Sequence, residues 1–348
     1  MNRLQDLLGT RPWLIADGAM GTSLFTLGLE TGDNPELWNI LHEDRIRAVH
    51  RGFLLAGSDL ILTNSFGGST FRLKLHQLDG RCAELNHAAA ALARSEADRF
   101  IADTGKLIAV AGSIGPTGEL FAPLGTLTRD AALAAFSAQA EALKAGGVDV
   151  LWVETMSSAE EVEAAYEAAA ATGLPVVCTM TFDTNARTMM GIRPQGFVDI
   201  CDRFSTPPAA IGANCGVGPA ELLDSLCAMT TVTDDTVVLV AKGNCGIPEY
   251  RDGEIHYHGS PEMMADYAIL ARDAGARIIG GCCGSTASHI AAMAAGLAAQ
   301  PQRQDVDAAR VAAVLGVPWQ KSTDAGALSG DTNGSGDRRA PRRRRRQH

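Results

Sequence analysis

Eight short, near-continuous apolar runs recur along this chain, with alanine- and leucine-rich segments of helical character between them. The runs lie at 13–16, 60–63, 107–111, 148–153, 176–181, 209–213, 237–241 and 277–279. An apolar run without alternation is what a parallel strand buried on both faces requires. The intervening segments include 129–145, 158–171, 219–229, 261–274 and 285–298, and several open with Ser, Thr or Pro, residues that start helices. Eight such β-then-α units predict one (β/α)8 TIM barrel over residues 1–320, in the α/β class. An open doubly wound sheet is the alternative, weakened because no Gly-x-Gly-x-x-Gly follows the first strand.

In such a barrel, chemistry gathers at the C-terminal ends of the strands. There the sequence places Asp17-Gly-Ala-Met-Gly-Thr22, Asn64-Ser-Phe-Gly67, Ser113-Ile-Gly-Pro-Thr-Gly118, Glu154-Thr155 and Gly243-Asn-Cys-Gly246. Cys215 ends the sixth strand, and Cys282 and Cys283 end the eighth. Three thiolates suit Zn²⁺ with one tetrahedral position left for water or substrate, the pattern of a catalytic site. Neighbouring side chains on a regular strand face opposite ways, so both Cys282 and Cys283 can reach one ion only if the backbone leaves β geometry. The flanking Gly280, Gly281 and Gly284 permit that departure. A buried pair of small apolar side chains, or a vicinal disulfide, are the alternatives.

Cys82, Cys178, Cys201 and Cys227 fall within expected helices and strands and read as core residues. Cys245 lies on the expected rim, and its part in the site stays open. Asp17 and Glu154 end apolar strands, where an unpartnered carboxylate is costly, and a bound ammonium group would satisfy both. A helix cap for Asp17 and a salt bridge for Glu154 are the plainer explanations. His256 and His258, in Glu254-Ile-His-Tyr-His258, follow a Gly-Asp turn signal and are expected to face solvent from a loop.

No apolar run is long enough to cross a bilayer, and the first residues lack the pattern of a signal peptide. A cytoplasmic protein with reduced thiols is expected. From Ser322 onward the chain holds three aspartates and seven arginines, so the body is more acidic than the net charge of −10. That balance argues against nucleic acid as a partner. Residues 321–348 are too poor in apolar side chains to build a core and are expected to form a disordered, Arg-rich tail. The sequence leaves homo-oligomerisation open.

Taken together, Asp17-Gly-Ala-Met-Gly-Thr22, Thr63-Asn-Ser-Phe66, Gly112-Ser-Ile-Gly-Pro116, Val153-Glu-Thr155, Asn214-Cys-Gly-Val-Gly-Pro219 and Gly280-Gly-Cys-Cys-Gly284 resemble the homocysteine S-methyltransferase family. That family includes betaine–homocysteine methyltransferase and the homocysteine module of cobalamin-dependent methionine synthase. The resemblance spans about residues 10–300. It implies a (β/α)8 barrel, zinc on Cys215, Cys282 and Cys283, and homocysteine sulfur as the fourth ligand, with no further catalytic group. It also implies that Asp17 and Glu154 hold the amino-acid end of homocysteine, with Asn64, Ser65 and Asn214 beside the substrate.

The methyl donor is less sharply indicated. The betaine branch carries a tyrosine after the residue matching Phe66 and another after the one matching Glu154, where this chain has Gly67 and Thr155. Quaternary ammonium groups favour aromatic cages, and only 5% of this chain is aromatic, with Trp38 and Phe71 as potential replacements. A methylcorrinoid on a partner protein is therefore the preferred donor, with betaine second and S-methylmethionine third. Two other readings are a non-catalytic zinc- or thiol-binding subunit of a methyltransfer complex and an unrelated barrel enzyme with a structural zinc.

Overall fold

The computed structural model describes residues 3–318 except 184, 252 and 253. Eight parallel strands form the barrel: β1 (Leu14–Ile15), β2 (Leu60–Leu62), β3 (Ala109–Ile114), β4 (Val150–Met156), β5 (Val176–Met180), β6 (Ala210–Cys215), β7 (Leu239–Gly243) and β10 (Ala276–Gly281). Between β7 and β10 an antiparallel hairpin is inserted, β8 (Pro248–Arg251) and β9 (Glu254–Tyr257). The sheet runs β1-β10-β7-β6-β5-β4-β3-β2, and a parallel bridge from Ala16 to Leu60 closes it. The predicted barrel is thus present, and the open sheet is excluded. The expected Arg-rich tail, 321–348, lies outside the described residues.

Side-chain parity explains the uninterrupted apolar runs. Leu14, Leu60, Ala109, Ala111, Val150, Trp152, Val177, Ala210, Val240 and Ile278 form one cluster inside the barrel, closed at its N-terminal end by Leu4 and Leu7 of the helix Arg3–Thr10. Their neighbours Ile15, Ile61, Val110, Leu151, Cys178, Ile211, Leu239 and Ile279 face outward into a second cluster shared with the helices. Both faces are buried, so both parities must be apolar.

The helices begin where the sequence signals them. Thr128, Ser158 and Ser260 accept hydrogen bonds from the third residue onward at the starts of Arg129–Ala145, Ala159–Ala171 and Pro261–Asp273. Pro219 opens Pro219–Thr230 in the first helical position.

Two sequence expectations need correction. Strands β3 and β4 run three residues, and β6 and β7 two residues, further than the apolar runs, because their last inward positions carry Ser113, Glu154, Asn214 and Lys242. The stretch around His256 and His258 is the hairpin, not a loop, although both histidines are exposed as expected. His258 lies 3.3 Å from Glu249 across that ribbon.

Candidate metal centre

The polar inward positions at the strand ends form the floor of a site at the barrel mouth. Asp17, Glu154, Ser113, Thr179, Asn214 and Lys242 are all buried there. Lys242 Nζ lies 2.8 Å from Asp17 Oδ1, and the Leu62 N–H donates to Asp17 Oδ2 at 2.7 Å. Both Asp17 oxygens accept hydrogen bonds, which identifies it as the carboxylate of a buried ion pair. Burial works against the Lys242 ammonium, yet the fields of Asp17 and Glu154 outweigh it and hold its pKa above the ordinary value. The Lys242 ammonium also lies 5.7 Å from the Trp152 ring centroid, one layer deeper in the barrel. Sequence reasoning passed over Lys242, because the seventh apolar run ends at Ala241.

Glu154 Oε1 accepts the Ser113 hydroxyl at 2.5 Å. Burial pushes the Glu154 carboxyl up to about 7; Lys242 works against that rise, while Cys282 and Asp17 add to it. Thr155, next along β4, has φ +62°, and the register of β4 on β5 slips between Val153 and Met156. This bulge kinks the strand just beyond Glu154, before pairing resumes between Met156 and Met180.

The three cysteines meet above this floor. Their sulfurs lie within 4.8 Å of one another, and Cys215 Sγ is 3.9 Å from Cys283 Sγ. A tetrahedral zinc with Zn–S distances of about 2.3 Å places its sulfurs about 3.8 Å apart, so the donor set fits the ion. Cys215 ends β6 with φ +62°. Beyond β10 the backbone turns: the Cys282 N–H donates to Gly243 O at 2.7 Å, and the Ser285 N–H donates to Cys282 O at 3.0 Å. Gly284, at φ +80°, completes that turn, and the Tyr257 ring covers it so closely that a Cβ would stand 2.4 Å from Tyr257 Cγ. The glycines flanking the Cys-Cys pair therefore allow both sulfurs to face one point.

All eight cysteines are free thiols, so the vicinal disulfide is not formed. Within the cluster, hydrogen bonds from Cys215 and Cys282, then from Tyr257, pull the Cys283 thiol well down. Cys215 is pushed up, first by its hydrogen bonds to Cys282 and Cys283 and then by burial. Hydrogen bonding within the cluster thus favours the thiolate at Cys283 over that at Cys215. Cys245 is not part of it: its sulfur donates to Gly259 O at 3.1 Å, and burial raises its pKa to about 11. Cys82 and Cys178, as expected, are buried in the core. Asn244, between Gly243 and Cys245, keeps a buried Oδ1 without a hydrogen-bond partner among the described residues.

The remaining sequence candidates are bonded to protein. Asn64 Nδ2 donates to Pro35 O at 2.8 Å and to Asn39 Oδ1 at 3.1 Å. Ser65 Oγ donates to Ser113 O at 2.7 Å and lies 2.6 Å from Thr63 Oγ1. These contacts fix the loop after β2 against its neighbours. Asn214 is bonded to Thr155 and Thr179, and its Nδ2 lies 3.9 Å from Cys282 Sγ.

Comparison with known proteins agrees with this arrangement. The family model described as homocysteine S-methyltransferase matches residues 14–297. The metallated form of the homocysteine methyltransferase MmuM from Escherichia coli is 26% identical, with a TM-score of 0.71 over 84% of this chain and 99% of that one. Its oxidized form, also 26% identical, superposes with a TM-score of 0.72 over 85% of this chain and 99% of that one. The Cys215, Cys282 and Cys283 cluster matches the zinc site of this family. With its barrel, its three converging thiols and this match over most of its length, the chain belongs to the homocysteine S-methyltransferase family.

Proposed function

We propose that this enzyme methylates homocysteine with a methyl group delivered by a methylcorrinoid on a partner protein. The observation that carries the reading is three sulfurs within 4.8 Å of one another beside a buried acidic floor containing Asp17 and Glu154. Cys215, Cys282 and Cys283 would hold the zinc, which when bound ionises a thiol ligand while three cysteine thiolates keep that sulfur nucleophilic. Asp17 and Glu154 form the acidic end that receives the homocysteine ammonium. Ser113 fixes the Glu154 carboxylate, and Asn64, Ser65 and Asn214 hold the loops and strand ends around the substrate. Alignment of the substrate for in-line attack is the protein's main contribution.

Two observations favour a large donor. Trp38 is buried, with Arg45 4.9 Å over its ring and His42 at 4.5 Å, while Phe71 packs on the outer core. Neither is free to cage a quaternary ammonium group. Around the mouth, Phe66, Leu120, Leu124, Met189, Met190 and Ile247 are exposed on loops after β2, β3, β5 and β7, an apolar rim suited to a bulky donor. Free thiols throughout fit a reducing compartment, and we place the enzyme in the cytoplasm.

The test is methionine formation by zinc-loaded protein from homocysteine, with methylcobalamin, betaine and S-methylmethionine offered separately. Turnover with methylcobalamin alone supports the reading. Turnover confined to betaine or S-methylmethionine overturns the donor assignment and leaves homocysteine methylation standing.

A further inference from the structure

The hairpin inserted between β7 and β10 brings Tyr257 against the metal centre. The half-buried Tyr257 ring covers Gly284 so closely that no Cβ fits there, and its side chain hydrogen-bonds to the Cys283 sulfur. The end of the hairpin is fixed to the same turn. The Cys245 N–H donates to Cys283 O at 2.8 Å, the Gly259 N–H to Cys245 O at 3.0 Å, and the Cys245 sulfur back to Gly259 O at 3.1 Å. His289 Nδ1 accepts the Thr286 N–H at 3.0 Å, which leaves Nε2 to donate to the same Gly259 O at 3.1 Å. Tyr257, two residues before Gly259, is thereby held in register with Cys283. Cys215 is placed differently. Among the described residues its sulfur is bonded only to the other cysteines of the cluster.

We propose that the Tyr257 hydroxyl shields Cys283 from methylation by donating a hydrogen bond to its sulfur, so that the methyl group goes to the substrate thiol. Tyr257 is then a positioning residue that acts through Cys283. The proposal rests on the reading of the site as a centre for thiol methylation, but not on the identity of the donor.

The physical reason is competition among sulfurs. A methyl donor that enters this site meets cysteine sulfurs as well as the substrate's. In each case a sulfur lone pair forms the S–C bond, the bond from methyl to its leaving group breaks, and that group departs with its electron pair. The attacking sulfur passes from anionic to neutral, so a hydrogen bond to it weakens on the way and raises the barrier. The shield matters because a thioether at Cys283 would no longer supply the anionic donor that zinc binding requires.

Methyl iodide, which needs neither homocysteine nor a partner protein, tests this on the zinc-loaded full chain in excess zinc. Iodide is the leaving group, and mass spectrometry of the digested protein gives the rate of S-methylation at Cys215, Cys282 and Cys283. Tyr257→Phe keeps the ring over Gly284 and removes only the hydroxyl. It should raise the Cys283 rate about tenfold relative to Cys215, the part of one charge-assisted hydrogen bond that is lost on methylation. The Cys215 rate itself should stay within about twofold of wild type, since no bond to its sulfur has been removed.

An unchanged ratio of Cys283 to Cys215 methylation overturns the proposal. An equal rise at all three cysteines does so as well, because the hydroxyl would then only tighten the site as a whole. Tyr257→Phe that holds no zinc even in excess overturns it too, since Tyr257 would then build the site and not shield one sulfur. Wild-type protein that forms no methionine from homocysteine would count against the functional reading and leave the methyl iodide rates standing.

Discussion

Asn214 holds Thr155 at both of its polar groups: Oδ1 accepts the Thr155 N–H at 2.9 Å, and Nδ2 donates to Thr155 Oγ1 at 2.7 Å. Thr179 adds a hydroxyl bond to the same Oδ1 at 2.7 Å. The clamp secures a threonine at φ +62°, a region where β-branched residues are outliers. Such conformations cost about 1–3 kcal/mol and persist where the surroundings over-determine them. Here the surroundings are Asn214, and what is positioned is the end of β4, with Glu154 facing the floor.

Asn214→Ala should therefore destabilise the protein by about 3 kcal/mol, through the stranded donors on Thr155 and Thr179. Urea unfolding measures this. Homocysteine binding should weaken with it, because Glu154 loses its fixed direction. Unchanged stability would show that the clamp does not restrain Thr155.

Glu154 gives the metal-free protein a definite pH response. Its folded pKa of about 7 stands above the ordinary glutamate value of 4.5, raised chiefly by burial. A raised acid binds its proton more tightly in the native state. Its contribution is complete below about 4.5 and is lost as pH rises to about 7, amounting to about 3 kcal/mol as an upper figure. Glu154→Gln should remove that slope, making the variant more stable than wild type at pH 8 and no more stable at pH 4.5. Unfolding free energies measured across this window decide it, and parallel curves would contradict the assignment.

The metal-free cysteine cluster makes a separate prediction. Cys283 is the lowered thiol, and Cys215 is held protonated by its hydrogen bonds to Cys282 and Cys283. Zinc needs three thiolates, so its binding at pH 7 should release about two protons per ion. Calorimetry in buffers of different ionisation enthalpy counts them. Release near zero would mean that the cluster is already ionised. The apolar interior and the strand pairing do not involve the sulfurs, so chelation should abolish homocysteine binding while the barrel stays folded by circular dichroism.

The sequence reveals the barrel because burial on both faces leaves eight unbroken apolar runs. It conceals the upper ends of the strands for the same reason. Periodicity ends a strand at its last apolar residue, yet β3, β4, β6 and β7 continue through Ser113, Glu154, Asn214 and Lys242. Three of these could be suspected as polar residues at strand ends. Lys242 carries its signal only in parity, two positions after the inward-facing Val240. Its partner Asp17 is 225 residues away, and no local pattern announces that pair. The cysteines were easier, since glycines beside Cys282 and Cys283 signal a turn whatever the rest of the chain does. Tyr257 was missed because the hairpin that brings it over Gly284 read as an exposed loop.

Gly284 allows that hairpin contact to be isolated. Gly284 and Gly173 both have φ +80°, but a Cβ on Gly284 would stand 2.4 Å from Tyr257 Cγ, whereas nothing lies within 4 Å of one on Gly173. Alanine at either position meets the same left-handed backbone penalty, about 1–2 kcal/mol. Only Gly284→Ala must also displace the tyrosine ring beside Cys283. Gly173→Ala should thus lose stability with zinc affinity unchanged, while Gly284→Ala should lose more, since the ring must also move, and bind zinc at least about tenfold more weakly, the usual cost of disturbing a ligand's outer support. Zinc competition against a chromogenic chelator compares the two. Equal zinc affinities would show that the ring over Gly284 plays no part in holding Cys283 in place.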